Sequence, residues 1–85
     1  MPNQKYSADE IRANVKKLIA EITEREEGEI SDSADFAKDL GLDSLMAMEL
    51  MTLMDKTYKI NIPEEEFIKI QSVNDAVASV QRFVS

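Results

Sequence analysis

The 85-residue chain contains no cysteine and no histidine. Without cysteine there is no disulfide, no thiolate nucleophile and no sulfur ligand for a metal, and nothing implies an oxidising compartment. Without histidine the commonest general base and metal ligand is missing too. Seven serines are present, but nucleophilic catalysis needs a base held beside the hydroxyl, and Lys38 is a single charge in an acidic stretch. The chain is therefore read as a non-enzyme. With two glycines and two prolines it has no phosphate-cradling glycine loop and no low-complexity linker. Asp32, Asp35 and Asp39 lack the spacing of a calcium loop, so no metal site is expected. No apolar run approaches the ~20 residues of a membrane span, and Met1-Pro2-Asn3-Gln4-Lys5 lacks the hydrophobic segment of a signal peptide. A cytoplasmic protein with no membrane partner is expected.

Basic residues are also scarce, ten against seventeen acidic ones, which argues against nucleic acid as a partner. The imbalance is local: residues 24–66 carry a net charge of −9, while the segments on either side are each at +1. Such a field steers a basic protein surface toward the chain; an acidic surface that serves only solubility is the plainer alternative. A composition of 44% hydrophobic and 32% charged residues suits a folded chain rather than a disordered one. Its length suits one domain spanning residues 1–85.

Ser7-Ala8-Asp9-Glu10 has the form of a capping box. Ile11, Val15, Leu18, Ile19 and Ile22 follow at the spacing of one buried stripe, predicting a first helix over about 8–25. Periodicity then vanishes from Glu26 to Asp43, where both glycines sit among Ser31, Asp32, Ser33 and Asp35. Ile30, Phe36, Leu40 and Leu42 are spaced as anchors, with a short helical turn at Ser33 to Lys38. So long a connection in so small a domain is expected to be packed down or functional. Pro63 opens a further turn with Glu64, Glu65 and Glu66 at its positive end, from which Phe67, Ile68 and Ile70 pack inward. Ser72-Val73-Asn74-Asp75 caps a last helix with a core stripe of Val73, Val77, Val80 and Val84, flanked by Ala76. The fold class is all-α: a small bundle of three main helices plus one short helix, with a long loop between the first two.

The second helix, about Ser44 to Tyr58, carries the functional signal. At about 100° per residue, Ala47, Leu50, Met51, Met54 and Tyr58 share one stripe, assigned to the core. Leu45, Met48, Glu49, Thr52 and Lys56 lie opposite, with Met46 and Leu53 on a flank. One helix needs one buried face, so Leu45 and Met48 are surplus apolar surface, suited to docking; alternatively Leu45 or Met46 folds back under the loop. Asp43 caps this helix and Ser44 falls in its first turn, where free backbone N–H groups and the helix dipole favour an anion. By itself, Asp-Ser before a helix is ordinary capping.

The string Leu40-Gly41-Leu42-Asp43-Ser44-Leu45, however, resembles the prosthetic-group site of acyl carrier proteins, whose serine carries 4'-phosphopantetheine within an L-G-x-D-S-L motif. The motif is unbroken, its continuation Met46-Ala47-Met48-Glu49-Leu50 is most similar to carriers of polyketide synthases, and a looser resemblance spans about Ile11 to Val84. The resemblance implies that a phosphopantetheinyl transferase moves the group from coenzyme A to Ser44. The carrier then holds acyl intermediates as thioesters and shuttles them between an acyltransferase, a ketosynthase and other synthase enzymes with basic docking surfaces. Asp43 matches the acid that engages the transferase, Leu45, Met46, Met48 and Glu49 fall on the recognition helix, and Ile62 occupies the hydrophobic position before the third helix, on the way to the cargo. A monomer is implied, and the absence of a flanking linker, with a methionine at residue 1, fits a discrete protein. Methionines at 46, 48, 51 and 54, with Lys56, replace the strongly acidic helix of fatty-acid carriers and point to polyketide or other secondary metabolism. The alternatives are a peptidyl carrier of a nonribosomal synthetase and an unmodified acidic adaptor that binds basic partner helices.

Overall fold

Ser7 and Glu10 close the expected capping box. The Glu10 amide donates to Ser7 Oγ (3.1 Å) and the Ser7 amide to Glu10 Oε1 (3.0 Å), which satisfies two amides that the first turn leaves without partners. From this cap runs α1, Ala8–Thr23. The structure, a computed structural model, describes residues 7–84, so Met1-Pro2-Asn3-Gln4-Lys5 lies outside the described residues. Helix α1 stops two residues short of the expected end because Glu24 adopts a left-handed conformation (φ 58°). The Arg25 amide then donates back to the Ala20 carbonyl (3.0 Å). Glycine usually marks this kind of closure; a glutamate in its place leaves no trace in the periodicity.

Three further helices follow: α2 at Ser44–Tyr58, α3 at Glu64–Phe67 and α4 at Val73–Val84, and there is no strand among the described residues. Helix α2 ends as α1 does, with Lys59 left-handed (φ 54°) and the Ile60 amide on the Asp55 carbonyl (3.0 Å). Pro63 caps α3 from outside rather than filling its first position. At α4 the Asp75 amide donates to Ser72 Oγ (3.3 Å), and the Asp75 carboxylate accepts from the Gln71 amide (3.0 Å).

Helix α1 lies against both α4 and α2. Its stripe of Ile11, Val15 and Ile19 is fully buried among Leu50, Met54 and Tyr58 of α2 and Val73, Ala76, Val77 and Val80 of α4. Each such aliphatic side chain contributes about 1.5–3 kcal/mol on burial, so this seam dominates the stability. Leu18, Ile22, Ala47, Met51 and Val84, the other members of the expected stripes, are partly buried at its margin. Asn14 Nδ2 donates to the Tyr58 hydroxyl (3.0 Å), joining α1 to the end of α2. One expectation is corrected: Phe67 and Ile70 are buried, but Ile68 is 69% exposed. Residues three apart share a face of a helical turn, and the residue between them points about 100° away.

The connection from Glu24 to Asp43 is packed down. It contains a 3-10 turn at Glu27–Glu29 and drives Ile30, Phe36, Leu40 and Leu42 into the core. The Asn74 amide donates to the Asp32 carbonyl (3.1 Å) and the Phe36 amide to the Gln71 carbonyl (2.8 Å), tying the loop to the start of α4. The Asp32 carboxylate reaches α1, with Arg12 Nε at 3.2 Å on one oxygen and Lys16 Nζ on the other. The expected turn at Ser33 to Lys38 lies slightly later, over Phe36–Leu40. Asp35 sets it there: its carboxylate accepts from the Ala37 and Lys38 amides (2.9 Å each), and its carbonyl accepts from the amides of Asp39 and Leu40.

The hydrogen bond from Lys16 holds the Asp32 carboxyl below the usual carboxylate pKa; burial opposes it, and the charges of Lys16 and Arg12 add to the lowering. The folded-state pKa is depressed, so the stabilisation is present above the unfolded value and is lost as the pH falls through the folded one. Asp32 is 41% exposed, and water screens it. Asp32→Asn is expected to lower stability by about 0.5–1 kcal/mol at pH 7. In urea titrations across pH, that difference should shrink as the pH falls through the depressed folded-state pKa and vanish once the parent aspartate is protonated.

Candidate functional site

The site is built by the end of the long loop. Leu40 and Leu42 are both buried, and the chain between them must reverse within one residue. Gly41 does so at φ 70°, a backbone conformation in which a side chain would cost roughly 1–2 kcal/mol. A Cβ there would meet no atom within 4 Å, so the requirement is conformational rather than steric. The Leu42 amide donates to the Phe36 carbonyl (2.9 Å), which fixes the strand of chain that leads into α2.

Asp43 is extended (φ −90°, ψ −178°), and its carboxylate accepts from the Met46 amide at 2.8 Å. The Asp43 carbonyl accepts from the Ala47 amide (2.9 Å). The amides of Ser44 and Leu45 have no carbonyl four residues back within the helix, so they point outward at the positive end of the dipole. Ser44 is the first residue of α2 and is exposed. Among the described residues, no side chain accepts from or donates to its hydroxyl. It is accessible and not activated, so whatever reacts with it must bring its own base.

Beside Ser44 opens a groove of about 370 Å³, lined mainly by apolar side chains of α2 (Ala47, Met48, Met51) and by Phe67, Ile68 and Ile70 across it. Leu45 is 78% exposed and Met48 51% exposed. Of the residues singled out in the sequence, Asp43, Ser44, Leu45, Met48 and Glu49 are thus together on one exposed surface. Met46 is partly buried against the core and offers only an edge. Ile62 is not on this surface: it is 2% exposed, does not line the groove, and its amide donates to Asp55 Oδ1 (3.2 Å). Its apolar side chain fills the connector between α2 and α3, so it has no area to give a partner. Ile68 is the groove residue that sequence reasoning missed. The signal was available, since a single turn with Phe67 and Ile70 inward leaves Ile68 outward.

The described residues thus form a helical domain that displays the Ser44 hydroxyl beside a largely apolar groove. Residues 13–80 match the family model of the phosphopantetheine attachment site. The chain is 38% identical over 77 residues to the acyl carrier protein of Rickettsia bellii (strain RML369-C), covering 91% of this chain and 90% of that one. The fold is similar to the HMG-ACPI domain from the CurA module of Lyngbya majuscula, with a TM-score of 0.81 and 26% identity, covering 96% of this chain and 83% of that one. It is also similar to the acyl carrier protein from Enterococcus faecalis, with a TM-score of 0.77 and 25% identity, covering 91% and 98% of the two chains.

The chain therefore belongs to the acyl carrier protein family, a carrier of covalent 4'-phosphopantetheine and not an enzyme. Acyl carrier proteins interact with phosphopantetheinyl transferases and synthase enzymes. The residues present fit the group: outward helix-terminal amides suit its phosphate, and the groove offers an apolar wall along which an extended arm can lie. No described helix is long and apolar enough to cross a membrane.

Removing the cap tests the local account. Asp43→Ala should cost about 1 kcal/mol in urea unfolding, whereas Asp43→Asn, which can still accept from the Met46 amide, should cost only a few tenths. Equal losses for the two would mean that the negative charge, not the hydrogen bond, holds the start of α2.

Proposed function

We propose that Ser44 is the residue that takes 4'-phosphopantetheine from coenzyme A, and that the chain delivers acyl groups to the enzymes of a polyketide or similar secondary-metabolite pathway. The observation that carries the attachment site is the placement of Ser44: exposed, first in α2, at the end of a loop held by Leu40, Gly41 and Leu42. When attached, the group supplies a terminal thiol that carries acyl chains as thioesters. The chain contributes position. Tethering raises the local concentration of cargo at a docked enzyme, and the capped helix fixes the point from which the tether swings.

The docking surface comprises Asp43, Leu45, Met48 and Glu49, with the edge of Met46. Transferase, acyltransferase and ketosynthase would meet it with apolar surfaces rimmed by basic side chains, complementary to the −9 concentrated in residues 24–66. The polyketide assignment rests on the methionines at 46, 48, 51 and 54 and on Lys56, where a fatty-acid carrier would present more acid. Residues 1–85 act as one carrier domain and as a monomer.

The test is an intact-mass spectrum after incubation with coenzyme A and a broad-specificity phosphopantetheinyl transferase. The parent should gain one phosphopantetheine. Ser44→Ala should gain none while keeping its helical circular dichroism, since among the described residues the hydroxyl makes no hydrogen bond and its loss should cost under about 1 kcal/mol. Addition to a folded Ser44→Ala variant, or none to a folded parent, would sink the assignment.

A further inference from the structure

Four methionines sit on α2 at graded exposure. Met48 is 51% exposed, Met46 and Met51 are partly buried, and Met54 is fully buried. The exposed one lies four residues from Ser44, hence beside it on the same helical face, and on the rim of the groove. An enzyme that covers Ser44 must therefore cover the Met48 thioether. A thioether is soft and apolar, and two-electron oxidants convert it into a polar sulfoxide that reductases can restore.

We propose that Met48 is a reversible oxidation site that controls enzyme access to Ser44; this rests on Ser44 being the attachment residue. A peroxide transfers one oxygen atom to the Met48 sulfur, forming the S=O bond and breaking the O–O bond. The sulfur is oxidised by two electrons, hydrogen peroxide is reduced, and water leaves. The sulfoxide then places a strong hydrogen-bond acceptor at the centre of an apolar contact, where a docking enzyme leaves it without water and without a partner. The fold survives, because Met48 is half exposed and outside the core, while the core methionine, Met54, is fully buried.

The full chain treated with hydrogen peroxide, then with catalase, is mapped by peptide mass spectrometry. It is next assayed for the rate of phosphopantetheine transfer from coenzyme A by a broad-specificity transferase. Met48 should gain oxygen ahead of Met46, Met51 and Met54. The transfer rate should fall about tenfold, and methionine sulfoxide reductase with a thiol reductant should restore it, with the helical spectrum unchanged throughout. The Met48→Leu variant, whatever its own rate, should show no change on peroxide treatment; the comparison removes effects of the remaining methionines. Oxidation of Met54 as fast as Met48, an unchanged rate in protein oxidised at Met48, or an equal fall in Met48→Leu would each overturn the proposal. An untreated parent that takes no phosphopantetheine would instead remove the Ser44 assignment and this proposal with it.

Discussion

The structure depends on one constraint, that a connection of twenty residues without regular helix must hold the start of α2 in a fixed place. Left free, the ends of such a loop would wander, and a serine at its tip would have no defined approach. Here the loop is tied on two sides. Four apolar anchors enter the core, backbone hydrogen bonds from Phe36 and Asn74 join it to the start of α4, and Asp32 reaches the cations of α1. The anchors outweigh the ions several-fold, since burial of four such side chains contributes on the order of 8 kcal/mol and the partly exposed pairs at most about 1 kcal/mol each. The charges set register more than stability.

Function follows from how α2 divides its apolar residues. A helix in a three-helix bundle needs one buried stripe, and Leu50, Met54 and Tyr58 provide it. Leu45 and Met48 are left outside next to Ser44, and Ile68 joins them from the far side of the groove. Acidic side chains surround the patch. In the proposed docking role, apolar contact would supply adhesion to a partner and the field would set its orientation and rate of approach. Among the described residues nothing activates the hydroxyl, which suits the proposed role, in which a separate enzyme supplies the chemistry.

Much of this was legible in the sequence. The capping box at Ser7 and the stripes of α1, α2 and α4 announce the bundle by local pattern, because each is fixed by neighbours within about four residues, whereas Ser44 was singled out by the resemblance of Leu40 to Leu45 to the family motif. The misses are tertiary. Phe67, Ile68 and Ile70 all read as inward, and hydrophobicity cannot say which of them faces the core; packing sends Ile68 out. The early stop of α1 depends on a glutamate that accepts a left-handed conformation, against its propensity. The turn at Phe36–Leu40 is positioned by Asp35 side-chain bonds, which composition suggests but does not locate.

The central claim, that the loop is a folded part of the molecule which fixes the attachment helix, is tested most directly by native-state hydrogen exchange of single amides. Those of Phe36, Leu42 and Asn74 are all donated to carbonyls across the loop. They should exchange at least about a hundredfold more slowly than in an unstructured peptide and open together with the core of α2. Unprotected exchange at Phe36 and Leu42, with α1 and α4 still protected, would show a mobile tether in place of a fixed platform and would contradict the account.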